Sequence, residues 1–361
     1  MFLSVENINT LLSNKYISEN EYRQRFKIKP QYLDVFMTRI GTIGKTNVIT
    51  THKPIAYYVS LALLRPQNIQ SFFLSFIIQT SKVQQDIWKR TLQIAFPQKI
   101  NKDEIGKVTL ALPLQKEQID IEKLLLKLDK LITLQQRKLK QLKQLKKAML
   151  QQLFVDKNSK QPNLRFKNFN SDWKQRKLKN ISKRILRKNS DLQSLLPLTI
   201  SAQDGLVDQT LYFNKQVASK QLKNYLLLYN GDFAYNKSYS VGYPYGAIKR
   251  LDKYKQGVLS TLYIAFKPTN INSDFLQHYY DTDKWYREIY RNAAEGARNH
   301  GLLNISANDF FNSKLVIPSD NDEQLKIAKI INLFNHLITL RQDNLTQLTI
   351  LKKYLLQKLF I

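Results

Sequence analysis

The chain has 361 residues, a formal net charge of +29 and no cysteine, which excludes disulfides and thiolate metal sites and fits a reducing cytoplasm. No segment approaches the roughly 18 consecutive apolar residues of a membrane span, and residues 1–14 lack the pattern of a signal peptide, so we expect a cytoplasmic protein with no membrane partner. The excess of lysine and arginine favours a polyanionic partner, because each phosphate that they neutralise releases counterions.

The first predicted elements, in chain order, form a mixed α+β module. Three segments rich in Val, Ile, Tyr and Phe are predicted strands: residues 35–37, 57–64 and 108–112. A helix is predicted at residues 69–80. Glycines at positions 41 and 44 predict a tight turn where the backbone approaches another group closely. Beside this turn lie three candidate DNA-contacting residues: Thr38, Arg39 and Lys45.

The turn ends in Gly-Lys-Thr and therefore partly matches a phosphate-binding P-loop. That motif requires a glycine at the position that Arg39 occupies. The corresponding segment of the second module, residues 240–243, has no Gly-Lys-Thr at all. A nucleotide-dependent enzyme is therefore an alternative that the missing glycine opposes.

Two long helices are predicted, one after each module. Residues 115–154 and 319–361 contain no Gly or Pro and are rich in Leu, Lys and Gln, which are good helix formers. A helix of about 40 residues spans roughly 60 Å. Steps of three and four residues predict an apolar seam that polar residues interrupt at the same places in both helices. Its apolar members are Ile121, Leu124, Leu128, Leu131, Leu142, Leu145, Met149, Ile327, Ile330, Phe334, Leu337, Leu348, Leu351 and Leu355.

A seam of this kind predicts that the two helices pair as an antiparallel coiled coil within one chain. The alternative is that each helix packs only on its own module. Pairing would place the modules at opposite ends, related by an approximate two-fold.

The second module repeats the pattern of the first. Strands are predicted at residues 233–235, 258–266 and 315–317, and a helix at residues 273–290. Arginine suits bidentate contact with guanine and asparagine with adenine. The candidate DNA-contacting residues of this module are Lys237, Tyr239, Tyr243, Arg291, Arg298 and Asn299.

The chain also repeats itself in sequence. An ungapped shift of 206 residues superposes Glu117-Gln118 on Glu323-Gln324, and residues 131–134 (LITL) on residues 337–340 (LITL). The opening of the second module, residues 164–178, has no counterpart in the first, which is shorter by roughly 30 residues. Those residues are either genuinely absent or lost to a late start codon.

The repeated proline, Glu-Gln pair and Lys-Lys-x-x-Leu-x-x-x-Phe ending resemble the specificity subunits (HsdS) of type I restriction–modification systems. The opening at residues 164–178 resembles the start of that family's target recognition domains. The resemblance divides the chain into a shortened first target recognition domain, a long helix, a second domain and a second long helix: residues 1–112, 113–156, 157–317 and 318–361.

This resemblance implies that each domain reads half of a bipartite DNA target and that the paired helices set the spacing. Two methyltransferase subunits carrying S-adenosylmethionine would dock on the chain and methylate adenine at N6. Two restriction subunits would add ATP-driven translocation and cleavage. The chain itself would hold no catalytic residue, cofactor or metal.

Two further alternatives come from the binding-protein class. One is a stand-alone basic architectural protein that binds DNA with little sequence preference, which a steep salt dependence without specificity would favour. The other is a scaffold whose coiled coil recruits only proteins, and whose modules leave no footprint on DNA.

Overall fold

The computed structural model describes residues 1–156, 159–215, 222–293 and 303–360. It divides into two compact units. Unit 1 consists of residues 1–139 and 340–361, and unit 2 consists of residues 140–339. Each unit therefore combines one globular module with parts of both long helices.

Unit 1 is built on short strands and helices that precede the first long helix. Strand β2 lies between β3 and β5 in an antiparallel sheet, and β1 pairs with β4 in parallel. Helix α2 packs its phenylalanines against this sheet. The elements are β1 (Phe2–Leu3), α1 (Glu19–Arg25), β2 (Val35–Thr38), β3 (Thr46–Val48), β4 (Ala56–Tyr57), β5 (Leu61–Leu64), α2 (Ser71–Ile78), α3 (Ser81–Lys89), α4 (Lys102–Gly106) and α5 (Gln115–Gln152).

Unit 2 has more strands, arranged in two four-stranded sheets and a two-stranded one. Its elements are β6 (Lys174–Lys177), α6 (Leu178–Ile181), β7 (Ser182–Arg184), β8 (Pro197–Ser201), β9 (Gly205–Asp208), α7 (Gln209–Phe213), β10 (Leu226–Tyr229), β11 (Phe233–Asn236), β12 (Ala247–Arg250), β13 (Gln256–Leu259), β14 (Ile264–Pro268), α8 (Ser273–Tyr280), α9 (Tyr286–Asn292), α10 (Ala307–Asn312), β15 (Lys314–Ile317) and α11 (Asn321–Lys358). Aromatic residues of β11, β14, α8 and α10 fill its larger core.

The sequence repeat is also a repeat of strand pairing. In unit 2, β11 lies between β12 and β14 in antiparallel order, as β2 lies between β3 and β5. Strands β8 and β13 pair in parallel, as β1 and β4 do. Strand β1 of unit 1 therefore corresponds to β8 of unit 2.

The glutamine of each Glu-Gln pair makes the same two hydrogen bonds. Gln118 donates to the carbonyl oxygen of Pro113 at 3.0 Å, and Gln324 donates to that of Pro318 at 2.9 Å. The side-chain oxygens accept from the backbone N–H of Gln70 and of Asn272 respectively. A buried amide needs hydrogen-bond partners, and the glutamine finds equivalent partners in both units. This explains why the Glu-Gln pair recurs in the sequence.

The long helices run antiparallel. In unit 1, Asp129 of α5 forms an ion pair with Lys352 of α11 at 2.6 Å. Further along α5, Gln135 contacts Arg341, which lies earlier in α11. In unit 2, Met149 of α5 and Ile327 of α11 share one core. In the described part of the chain, no helix combines the length and apolarity of a bilayer span.

In α5 the buried stripe differs in phase from the predicted seam, whereas in α11 the predicted members other than Leu351 are buried or half-buried. Ile121, Leu128 and Ile327 are buried as predicted, but Leu124, Leu131, Leu145 and Leu351 are exposed. The buried leucines of α5 include Leu125 and Leu139 instead. Steps of four and then three from Ile121 reach both of these. The prediction took steps of three and then four, and leucines on both faces of α5 left the choice open.

Several predicted elements are interrupted or missing. Residues 57–64 and 258–266 are each divided between two strands, and residues 273–290 between α8 and α9. The predicted strand at residues 108–112 is wrong, because these residues lie outside any helix or strand. Its counterpart β15 pairs with β6, which belongs to the opening that the first module lacks.

Candidate nucleic-acid interface

The turn between β2 and β3 is closed by hydrogen bonds between Thr38 and Lys45. The backbone N–H of Thr38 donates to the carbonyl of Lys45 at 2.8 Å, and the N–H of Gly44 donates to the carbonyl of Thr38 at 2.9 Å. The hydroxyl of Thr38 accepts from the N–H of Lys45 at 3.0 Å. Because Thr38 is fully buried, its prediction as a DNA contact is corrected: its side chain holds the turn together.

Arg39 and Lys45 lie at the two ends of this turn. Lys45 is exposed, whereas Arg39 is half-buried and donates from Nε to the carbonyl of Ile100 at 3.1 Å. Gly44 has a φ of +82°, and a Cβ there would lie 2.6 Å from the side chain of Gln84. The glycine is therefore required by its backbone conformation, whereas the end of the flexible Gln84 side chain could move aside. Lys45 remains available to a phosphate.

The partial P-loop match has a different structural context. A P-loop joins a strand to a helix, whereas residues 39–45 join two antiparallel strands. The hydroxyl of Thr46 donates to the carbonyl of Ser75 at 2.8 Å and accepts from Gln79. It is thus occupied by α2, and the segment does not have the geometry of a nucleotide site.

The equivalent connection in unit 2, between β11 and β12, carries three candidates. Lys237 is half-buried and its Nζ donates to the carbonyl of Ile305 at 3.4 Å. Tyr239 is exposed, and Tyr243 is half-buried. Residues 240–243 form a tight turn in which Tyr243 donates to the carbonyl of Ser240, and Gly242 has a φ of +84°.

Two polar clefts adjoin this connection. One, of about 280 Å³, lies between residues 200–204 and residues 236–243. The other, of about 410 Å³, shares Tyr243 and is lined by the basic residues Lys146, Lys249, Arg250 and Lys253. Three aspartates, Asp204, Asp252 and Asp281, line the larger cleft as well, and Lys249 and Arg250 form ion pairs with Asp281 and Asp252, so its positive charge is partly neutralised. The amide and hydroxyl side chains of the smaller cleft suit the edges of bases.

Sequence reasoning missed the contribution of the turn between β8 and β9. Gln203 lines both clefts, and Asn236 lines the smaller one. Amide side chains of these types pair with adenine. The Gln-Asp-Gly at residues 203–205 was a visible turn pattern, but nothing in the sequence placed it beside residues 236–243.

Arg291 lies elsewhere in unit 2, at the end of α9. Its guanidinium pairs with Glu288 at 3.2 Å, and it lines a cleft of about 630 Å³ together with Tyr245, Tyr286 and Tyr290. This cleft shares no lining residue with the two clefts beside Tyr243, so Arg291 is not brought together with the other candidates. Arg298 and Asn299 lie outside the described residues.

A charged cluster forms one wall of the larger cleft. Burial lowers the pKa of Lys146 below its usual range, although nearby Asp281 opposes this. Burial would raise the pKa of Asp281, but nearby His278, whose Nδ1 lies 3.7 Å away, and the charges of Lys249 and Lys146 lower it to about 2. Asp281 is therefore ionised near neutral pH and offsets part of the positive charge of this wall.

Among the residues that the structure describes, no group of three or more His, Asp or Glu side chains could hold a metal ion.

No protein-family model matches the sequence, and no curated protein matches it. Solved structures do match. The HsdS subunit from Thermoanaerobacter tengcongensis is 12% identical, with a TM-score of 0.50 over 99% of this chain and 89% of that one. A chain from a structural study of complex assembly and conformational transition of the type I R-M system is 12% identical, with a TM-score of 0.55 over 99% and 90%.

The S subunit of a type I restriction–modification system from M. genitalium is 16% identical, with a TM-score of 0.54 over 92% of this chain and 84% of that one. Identities this low show the fold. The agreement extends over nearly all of the chain, including both modules and both long helices. The chain therefore has the fold of the HsdS subunits of type I restriction–modification systems.

Proposed function

We propose that the chain is the sequence-specific DNA-binding subunit of a type I restriction–modification complex. Each unit contacts one half of a bipartite double-stranded target, and the long helices set the spacing. The chain is not itself an enzyme. Methyltransferase subunits, two per chain, supply S-adenosylmethionine, and restriction subunits supply ATP and Mg²⁺ chemistry, all in the cytoplasm where the DNA lies.

The observation that carries this proposal is the repetition of one hairpin. The connection between β2 and β3 presents Lys45, and the equivalent connection between β11 and β12 presents Tyr239 and Tyr243 beside two polar clefts. A protein that contacts two half-sites requires such a duplicated surface. The net charge of +29 supports a duplex partner, because contacts with phosphates supply sequence-independent affinity.

Co-expression with the neighbouring methyltransferase subunit in a methylation-free host tests the proposal. Sequencing that detects N6-methyladenine should then show a bipartite motif methylated on both strands. Methylation of a motif with only one specific half would assign recognition to unit 2 alone. No stable complex with the methyltransferase subunit would contradict the proposal and favour the architectural DNA-binding alternative.

Variants of the turn separate contact residues from general charge. If Lys45 contacts one phosphate, Lys45→Ala should reduce the magnitude of the slope of log affinity against log salt concentration by about 0.9. Lys53→Ala removes an equally exposed lysine of the same unit and is the matched control. Equal effects of the two variants would show that the turn has no special role.

A further inference from the structure

The two units differ around the first turn of their long helices. In unit 2, Glu323 is 1% exposed and accepts hydrogen bonds from Arg165 at 2.7 and 2.9 Å and from the indole of Trp173 at 3.2 Å. Both donors belong to the opening of the second module. Its equivalent, Glu117, is exposed, and within the described residues its carboxylate has no hydrogen bond or ion pair.

The backbone beside this glutamate differs in the same way. In unit 2, β6 follows Trp173 directly and pairs with β15, so Ile317 is only 4% exposed. The equivalent segment of unit 1, residues 108–114, belongs to no strand, and Leu112 is 50% exposed. An exposed segment of this kind can accept an added strand through its remaining backbone groups, although the N–H of Thr109 already donates to Asp86 at 3.2 Å.

An aromatic cluster completes the comparison. In unit 2, Phe154 packs against both Phe275 and Trp173, with ring centroids 5.3 and 6.4 Å apart. In unit 1, Phe360 packs against Phe73 at 5.1 Å. A cleft of about 220 Å³ adjoins this pair, lined by Ala111, Leu112, Pro113, Glu117, Leu359 and Phe360. We call residues 108–114 with Glu117 and Phe360 the Glu117 surface.

We propose that the Glu117 surface binds an extended segment of a separate polypeptide, with the chemistry that residues 165–177 have in unit 2. The occupant carries an arginine and, eight residues later, a tryptophan that leads directly into a strand. The arginine and the indole N–H satisfy Glu117, the tryptophan ring packs on Phe360, and the strand pairs with residues 109–112. This inference does not depend on DNA recognition.

A separate polypeptide is the occupant that the contacts favour. Within the described residues, the segment with this chemistry, residues 165–177, is already used in unit 2, where Arg165 and Trp173 are buried. Its transfer to a second copy would leave Glu323 buried without its partners, which is costly. The exposed carboxylate of Glu117 also favours a cationic segment. Cationic segments without this contact are repelled, because the chain as a whole has a charge of +29.

A labelled synthetic peptide with the sequence of residues 161–178 tests the proposal with the full-length chain. Fluorescence anisotropy should show saturable binding at one site. Glu117→Ala should weaken it about tenfold or more, because it removes charge-assisted hydrogen bonds. The peptide with the Trp173→Ala change should also bind at least tenfold more weakly. Asp120→Ala, which removes another exposed carboxylate of α5, should change nothing.

Thermal melts of Glu117→Ala and Asp120→Ala establish that both variants are folded. Sedimentation of the chain alone tests whether a second copy of the chain occupies the Glu117 surface. No saturable binding to the folded wild-type chain, or binding that Glu117→Ala leaves unchanged, would overturn the proposal. So would a dimer that requires both Glu117 and Trp173, because a second copy would then occupy the surface.

Discussion

The guanidinium of Arg341 donates a hydrogen bond to the side-chain oxygen of Gln135 at 3.0 Å, and the two residues are 206 positions apart. That separation is the shift of the sequence repeat, so residues at equivalent positions contact each other. In two antiparallel helices that are copies of one repeat, residues at equivalent positions face each other only at the middle of the paired length. A polar pair among apolar neighbours fixes the register of paired helices, because a shift would bury the guanidinium without its partner.

A double-mutant cycle on this pair measures that role. Gln135→Ala and Arg341→Ala should each lower the free energy of unfolding, with a coupling of about 1 kcal/mol, typical of a partly buried hydrogen bond to a charged group. Urea denaturation of the four proteins gives the value. Gln136→Ala, at an exposed neighbouring position, should show no coupling with Arg341→Ala. A coupling energy near zero for both pairs would mean that Arg341 is hydrogen-bonded to solvent rather than to Gln135.

Glu323 and Glu117 should differ sharply in their effect on stability. Glu323→Ala leaves Arg165 and Trp173 without their acceptor and should cost about 3–5 kcal/mol. The equivalent change Glu117→Ala, at an exposed position, should alter the free energy of unfolding by less than about 0.5 kcal/mol. Calorimetry compares the two variants directly. Similar losses would show that Glu117 has a buried partner in solution.

Leu33 occupies a backbone conformation that favours glycine. It has a φ of +70°, and its equivalent Gly231 has a φ of +87°. Since Leu33 is 38% exposed, little packing would be lost, and Leu33→Gly should stabilise the protein by about 0.5–1 kcal/mol.

Leu33→Ala is the matched control for that change. Alanine retains the Cβ that the left-handed conformation disfavours, so it should not raise the free energy of unfolding. Gly231→Ala should lower the free energy of unfolding, because it introduces a Cβ at a position with a left-handed backbone. An equal gain from Leu33→Gly and Leu33→Ala would assign the effect to the exposed side chain rather than to the backbone.

The stability of unit 2 should depend on the ionisation of Asp281. Its pKa in the folded protein, about 2, lies below the usual 3.8. Folding therefore favours the carboxylate, and this contribution is present above pH 4 and is lost as the pH falls from about 4 to about 2.

Asp281→Asn should lower the free energy of unfolding by about 1 kcal/mol at pH 6, a value reduced by solvent screening. The difference between wild type and variant should shrink below pH 4. Urea denaturation at pH 3, 4, 5 and 6 checks this. A difference that stays constant from pH 6 to pH 3 would contradict the assignment to Asp281.

The sequence predicted the repeat, the two long helices and their pairing because these depend on periodic patterns along the chain. The conserved roles of Gln118 and Gln324 illustrate why the internal shift was a reliable guide. The prediction of a strand at residues 108–112 was wrong, because strand formation depends on a pairing partner as much as on the strand's own residues. The wrong phase of the predicted seam in α5 has a similar cause, since leucines occupy several faces of that helix.

The candidate interface was predicted in part. Glycines that require a positive φ located the turn with Lys45 from sequence alone. Burial of Thr38 and the approach of Gln203 to Asn236 depend on tertiary packing and left no local pattern. Arg298 and Asn299 lie outside the described residues, so their prediction stands as it was made.

The division of the chain into units has a consequence for synthesis on the ribosome. Unit 2 is continuous in sequence and can fold as soon as residues 140–339 have emerged. Unit 1 must wait, because Leu355, Leu356 and Phe360 are part of the core that contains Phe73. Residues 1–139 are thus completed as a fold only after unit 2, although they precede it in the chain, and premature termination near residue 340 would harm unit 1 more than unit 2.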